Sequence, residues 1–576
     1  MTVRNLEFLF APKSIALVGA SAKEGSVGRI TASNLRTSGF DGDVWLVNPN
    51  HATIDRAPCY PSVAALPHAP DLAVIATPPP TIPGVIADLA RHGTRAAVVI
   101  TAGLDADLRR QMLEASRPAC LRILGPNCIG LILPRIGLNA SFAHCMPLKG
   151  DLAFLSQSGA LVTAVIDWAQ GRGIGFSKVL SMGEMADIDF GDTLDYLAGD
   201  PETRAILLYV EQVTQAAKFM SAARRAARAK PVIVLKSGRH EAGAKAAHSH
   251  TGALSGSDAV YDAAFRRAGL VRVEDLDGLF EAAAMLSFTP KLEGERLAIL
   301  TNGGGAGVLA ADRLEDYDGK LAAISPATMD ALNAALPPTW SKGNPIDIIG
   351  DAGPARYEAA MAALLADPAS DAVLVINCPT ALASSDEAAA AVLKAIAGAS
   401  GKARTKPVLT NWLGDGAAQK SRAMFTAARI PTFETPAPAI DGFMQLVRYR
   451  RSQDELMRTP PAGPREAVFD RDLAHEVMRG TLARGESMLS EFEAKAVLQA
   501  YGIPVAETIR CKDPDSVAST AAEILKTYRA CVIKIHSDDI SHKSDVGGVR
   551  LGSRSADEAR EAARAMAVDI ARLRPD

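Results

Sequence analysis

The sequence predicts an α/β protein of several domains, and three observations carry that expectation. Short Val/Ile/Leu runs alternate with Ala-rich helical stretches until about residue 450, the pattern of parallel sheets covered by helices on both faces. A composition that is 48% hydrophobic but only 5% aromatic suits cores of Ala, Val, Leu and Ile. The 576 residues, at roughly 150 per domain, imply about four domains.

Composition also excludes several functions. With a net charge of −3 and no long basic run, nucleic acid is not an expected partner. The seven cysteines form no C-x-x-C pair and read as thiols of a reducing compartment, not a disulfide or zinc framework. The start, "MTVRNLEFLFAPKS", has no apolar signal core, and no apolar run is long enough to span a bilayer. A cytoplasmic protein without a membrane partner is expected.

The first block has expected strands at "SIALVG" (14–19), "DVWLVN" (43–48), "DLAVIAT" (71–77), "AAVVIT" (96–101) and "LRILG" (121–125). The second runs through "DLAFLSQSG" (151–159), "AILLYVE" (205–211) and "PVIVLKSG" (231–238), and the third through "RLAILTNGGGAG" (296–307), "AVLVINC" (372–378) and "PVLTNWL" (407–413). At "RYRRSQDELMRTPPAGPRE" (448–466) the texture becomes a charged, Pro-containing linker. Beyond it come a helix at "SEFEAKAVLQAYG" (490–502), a strand at "ACVIKIH" (530–536) and a last helix near 555–573.

Three turns carry chemistry. "VGASAKEGSVG" (18–28) follows the first strand with glycines that let backbone approach a phosphate, or that merely permit tight strand–helix packing. It is not G-x-G-x-x-G, because Ser21 stands at the second glycine position. The second strand ends in Asn48-Pro49, where an NAD site usually has an acid for the ribose; a carboxylate there would repel a ligand carrying a ribose phosphate, such as coenzyme A. "LSQSGAL" (155–161) and "TNGGGAG" (301–307) each end a strand in small residues and start a helix. Free N–H groups with Ser156, Ser158 or Asn302 would face an anion there. Between them lies "SHTGALSGS" (249–257), with His250 on a loop of small residues built to move. The pair His248/His250 has no adjacent acid or cysteine and is not read as a metal site.

Together with "ILGPNCIGL" (123–131), "SMGEMADIDFGDTLDYLAGDPETRAILLYVE" (181–211), "NPIDIIGDA" (344–352) and "VIKIHSDDISHKSDVGGV" (532–549), these stretches resemble the NDP-forming acyl-CoA synthetases, relatives of succinyl-CoA synthetase with both subunit types fused. The resemblance covers nearly the whole chain. It implies a Rossmann-like coenzyme A domain over 1–145 and two flavodoxin-like ligase domains over 146–290 and 291–450. A linker over 451–485 and the first part of an ATP-grasp domain over 486–576 follow. The implied activity joins a small carboxylic acid to coenzyme A with ATP, releasing ADP and phosphate. It passes through an acyl phosphate and a phosphohistidine, with His250 as the carrier and Glu211 as the acid that orients it. A neutral imidazole is nucleophilic near pH 7, and an acid on its other ring nitrogen fixes the tautomer.

The resemblance further assigns phosphoryl-gripping helix starts to Ser156, Ser158 and Gly159 and to Asn302, Gly303 and Gly304. Coenzyme A falls to Gly19, Ala20, Ser21, Asn48, Pro49, Thr101 and Asn127. Lys534 becomes an ATP phosphate ligand, against the alternative of a lysine lying along apolar surface. His542 matches a second phosphoryl relay used by some members, or is a polar loop histidine. The Mg²⁺ ligands of a full ATP-grasp fold are not found in this sequence; a fragment, or a partner chain supplying the remainder, would each account for that. A homo-oligomer also stays open. The rival reading is the acyl-CoA-sensing, ligase-like region of a protein lysine acetyltransferase, suggested by "LPPTWSKGNPIDIIGD" and "VRYRRSQDELMRTPP"; a plain coenzyme A scaffold is a third.

Overall fold

Strands with no polar face need cover on both sides. Ser14–Val18, Leu72–Ile75 and Ala96–Val99 are buried at every position, so they form the middle of a parallel sheet. In the computed structural model, which describes residues 3–251, 256–458, 469–537, 540 and 542–573 (247–251 and 287 by backbone alone), that sheet has seven strands. Their order is 53–54, 57–60, 43–47, 14–18, 72–75, 96–99, 122–124, all parallel except the first edge strand. Ser14–Val18 lies between Asp43–Val47 and Leu72–Ile75, at the point where the strand order reverses and such folds open a crevice.

The second sheet runs 271–273, 232–236, 205–210, 149–156, 176–181, 130–133, 138–141. Its last two strands are an antiparallel hairpin, with Ile132 opposite Val179. The chain therefore changes sheets before residue 130, ahead of the boundary expected at 145. "IGLILPRIGLN" is apolar on both faces, and that pattern does not say which sheet it joins. The third sheet is parallel, ordered 320–321, 296–301, 372–377, 408–412, 432–433, with 346–347 also on 296–301.

The three sheets share cores. One hydrophobic cluster joins Leu17 and Leu124 of the first sheet to Leu155 and Leu208 of the second; another joins Phe154 to Ile299 and Leu374 of the third. Arg122, at the first sheet's edge, adds an ionic tie to Asp187 at 3.0 Å and Asp192 at 3.2 Å in the following block.

Residues 1–458 form one unit and 459–576 another. The described part of the expected linker is largely helical. Pro436–Met457 is one helix of 22 residues and Arg471–Ala483 another. The charges at 448–457 misled because they line one side, where Arg451 pairs with Glu295 at 3.0 Å, while Phe443, Met444, Val447 and Leu456 are buried. The second unit holds helices Glu491–Ala500, Pro514–Thr527 and Ala556–Leu573 with an antiparallel pair, Cys531–Lys534 and Val549–Ser553. No described helix is long and apolar enough to cross a membrane.

Candidate active site

The first sheet gathers its predicted residues at one carboxyl edge: Gly19–Ser21, Asn48–Pro49, Thr101 and Asn127 all follow strand ends. Gly19 has φ +93°, and a Cβ there would meet the Ala76 carbonyl oxygen at 2.7 Å; a Cβ on Gly28 would meet the Gly19 carbonyl at 2.1 Å. The turn thus keeps its backbone bare for close approach. The polar side chains are more occupied than expected. Asn48 Nδ2 donates to the Ala20 carbonyl at 2.7 Å, and its Oδ1 accepts from Asn50 N–H at 2.8 Å. Thr101 donates to the Thr77 carbonyl at 2.7 Å, and Ser21 Oγ accepts from Lys23 N–H. Asn48 and Thr101 shape the edge; the ligand is left with backbone and small side chains. That cradle fits a pyrophosphate.

The two phosphate turns share one construction. Ser156 Oγ donates to the Ser158 carbonyl at 2.8 Å and accepts from Ser158 N–H at 3.1 Å. Thr301 Oγ1 does the same to Gly303, at 3.0 Å both ways. One residue on, a side-chain amide ties each turn to the neighbouring strand. Gln157 Oε1 accepts from Glu211 N–H at 2.7 Å and Gln212 N–H at 2.9 Å. Asn302 accepts from Cys378 N–H at 2.7 Å and donates to the Cys378 carbonyl at 2.9 Å. Ser156 and Asn302 therefore close and fasten the turns, and do not face an anion themselves. Helices Gly159–Gln170 and Gly304–Glu315 then begin with no side-chain cap, leaving their first N–H groups without intrahelical acceptors. A Cβ on Gly159 would meet Ile129 Cγ2 at 2.6 Å, one on Gly303 the Cys378 Sγ at 2.5 Å, and one on Gly304 the Asp347 carboxylate at 2.8 Å. A side chain at any of these starts would displace its neighbour. Gln157, Thr301 and Cys378 were missed; the recurring pattern Ser/Thr–amide–Ser/Gly–Gly was the signal for the first two.

Glu211, 9% exposed, directly follows strand Ala205–Val210, which pairs with Lys149–Ser156, and sits at the edge where the first turn opens. His250 does not lie on a loop: helix Glu241–Thr251 carries it in its last turn, as the Ala, Glu and Lys of "EAGAKAAHSHT" favour. That helix follows strand Val232–Lys236, which pairs with Glu211's strand. Residues 252–255, and the side chains of His248 and His250, lie outside the description.

In the second unit, Lys534 Nζ is 2.6 Å from Glu491, with Lys495 and Lys543 at 3.1 and 3.3 Å from the same carboxylate. Lys534 bridges to an acid, so neither apolar snorkelling nor an unpaired phosphate ligand describes it. All four line an open cleft of about 1210 Å³, three cations that suit a polyphosphate. His542 is exposed beside it in sequence, just before the short 3₁₀ turn Lys543–Val546. The lysines, Lys534 foremost, hold Glu491 down from 4.5 to about 2. A depressed folded pKa stabilises above the unfolded value and loses that contribution as pH falls through the folded one. The unfolding midpoint of the full chain should therefore drop between pH 4.5 and about 2, and Glu491→Gln should flatten that part of the profile.

Comparison with known proteins agrees with this division. The chain matches family models for a CoA binding domain (residues 13–134), a succinyl-CoA ligase like flavodoxin domain (149–286), a Ligase-CoA domain (297–449) and an ATP-grasp domain (480–576). It is 38% identical over 553 residues to the ADP-forming acetate–CoA ligase I of Archaeoglobus fulgidus, covering 95% of this chain and 77% of that one. The Pyrococcus furiosus ligase I matches as separate subunits. Subunit alpha is 36% identical over 78% of this chain and 98% of its own length; subunit beta is 35% identical over 18% and 43%. A solved acetyl-coenzyme A synthetase 1 of Ca. Korarchaeum cryptofilum, in complex with phosphate and ADP, superposes with a TM-score of 0.76 at 36% identity, over 78% of this chain and 98% of that one.

A CoA binding domain, two ligase domains with turns of matched construction and an ATP-grasp segment define an acid–thiol ligase. The chain belongs to the NDP-forming acyl-CoA synthetase family.

Proposed function

We propose that this chain carries the acyl-CoA half of a ligase reaction that joins a small carboxylic acid to coenzyme A with ATP, through a phosphohistidine on His250. The observation that carries the proposal is the paired construction of the turns at Ser156–Gly159 and Thr301–Gly304, one of them fastened through Gln157 to Glu211. In the direction from acyl-CoA, phosphate oxygen attacks the thioester carbonyl and coenzyme A leaves as the thiol, giving an acyl phosphate. A ring nitrogen of His250 then takes the phosphoryl group, the P–O bond to the acyl oxygen breaks, and the carboxylate departs. Glu211 accepts from the other ring nitrogen, fixing the tautomer and stabilising positive charge as it develops. N–H groups at the two helix starts meet the phosphoryl oxygens, and the helix dipoles favour the anion.

Lys534, Lys495 and Lys543 would bind the nucleotide phosphates, with Glu491 giving up Lys534 as they arrive; His542 would serve as the second relay. Mg²⁺, when bound, neutralises nucleotide phosphate charge. Acetate, the acid named for the Archaeoglobus and Pyrococcus relatives, is the first acid to try.

The test is phosphate-dependent release of free coenzyme A from acyl-CoA. The full chain should release it, and coenzyme A at about 100 times its Kd should stabilise the protein by roughly 2.7 kcal/mol while NAD gives no shift. Binding without release would instead favour an acyl-CoA-sensing role. Asn48→Asp should remove the coenzyme A shift, because a carboxylate would replace the donor to the Ala20 carbonyl.

A further inference from the structure

We propose that His144, Cys145 and Asp167 form a binding site for one zinc-class divalent cation, separate from the phosphate turns and from the nucleotide cleft. Their donor atoms all lie within 4.8 Å of one another, and His144 Nε2 is 3.4 Å from Asp167 Oδ1. Tetrahedral Zn²⁺ with bonds of about 2.0–2.2 Å to nitrogen and oxygen sets such ligand pairs roughly 3.3–3.6 Å apart. Imidazole, thiolate and carboxylate are the donor set this borderline cation takes, and three protein ligands leave a fourth position open to solvent.

The ligands come from two elements that are already fixed. Asn34 Nδ2 donates to the carbonyls of Ser141 and Ala143, each at 2.9 Å, and Ala143 N–H donates to Ser141 Oγ at 3.1 Å. Met146 packs against the second core. The chain on both sides of His144–Cys145 is thus held. Asp167 lies on helix Gly159–Gln170, between Ile166 and Ala169, which are 0% and 1% exposed. Eight residues separate it from the helix start, about 12 Å at 1.5 Å per residue, so a cation here leaves the phosphate turn alone. Among the described residues, Asp167's one ion-pair partner is His144 itself. On binding, the Cys145 S–H bond breaks, a metal–sulfur bond forms and the proton passes to water.

Co²⁺ titration of the intact chain tests this, because a thiolate–cobalt charge-transfer band reports cysteine coordination alone and ignores His248 and His250. One equivalent should give a tetrahedral spectrum with that band, displaced by Zn²⁺. Cys145→Ser should abolish the band, and His144→Ala and Asp167→Asn should each weaken Co²⁺ affinity by at least about tenfold. All three variants should keep the wild-type circular dichroism spectrum and His250 labelling. An unchanged band in Cys145→Ser overturns the proposal. So does loss of the band there with unchanged affinity in both His144→Ala and Asp167→Asn, which would mean a lone thiolate.

Discussion

Incubated with acyl-CoA and radiolabelled phosphate, the wild-type chain is expected to acquire an acid-labile, base-stable label, and His250→Ala none. The variant should still bind coenzyme A, since Gly19, Gly28 and Asn48 flank strands of the first sheet, whereas His250 is on a helix between two strands of the second. Equal labelling of the two proteins would remove His250 from the reaction. Glu211→Gln separates nucleophile from orienting acid. It keeps the backbone N–H that donates to Gln157, so the first turn stays fastened, but it loses the charge that stabilises an imidazolium. The labelling rate should fall by about 10²- to 10⁴-fold with little change in the phosphate concentration for half-maximal rate. A fall in phosphate affinity alone would make Glu211 part of the anion site.

What was legible in the sequence was whatever backbone periodicity and glycine encode. Uniformly apolar runs such as "IALV" and "LVIN" fixed the parallel strands, and a glycine where a strand meets a helix located all three turns. What was not legible depended on partners far away in the chain. Asn302 looks like an anion ligand in "TNGGG", but its amide belongs to Cys378, 76 residues on. Asn48 looks like a replaced ribose acid, yet it holds Ala20. Through Gly130–Leu133, the hairpin Gly130–Leu133 and Leu138–Ser141 pairs with a strand nearly 50 residues later, and nothing local says so. The helix under His250 was missed for another reason: the Gly and Ser residues after it drew attention from the Ala-rich stretch before it.

Comparison of the two turns also assigns Cys378 a place. Its backbone N–H donates to the amide of Asn302 where that of Glu211 donates to the amide of Gln157, so the corresponding strand ends carry an acid in one ligase domain and a thiol in the other. The thiol lies against Gly303, and burial, with Asp347 nearby, pushes it up.

Gly303→Ala is therefore expected to disable the second grip while leaving the first intact. The new methyl would sit 2.5 Å from Cys378 Sγ. The Gly303 N–H and carbonyl are both held by Thr301, so the turn cannot yield without misdirecting the helix N–H groups behind it. Loss of a preorganised donor to a developing oxyanion costs about 10²–10³ in rate, and labelling of His250 should slow by that much. The coenzyme A thermal shift should be unchanged. Gly159→Ala, whose methyl would meet Ile129 Cγ2 at 2.6 Å, should act likewise at the first turn. Cys378→Ala in the Gly303→Ala background removes the sulfur and leaves the nearest contact at 3.1 Å, to the Cys378 Cβ, so partial recovery is expected. If Gly303→Ala labels at the wild-type rate, the second helix start does not hold the phosphoryl group. If it is slow and Cys378→Ala restores nothing, the damage does not come from the Gly303–Cys378 contact.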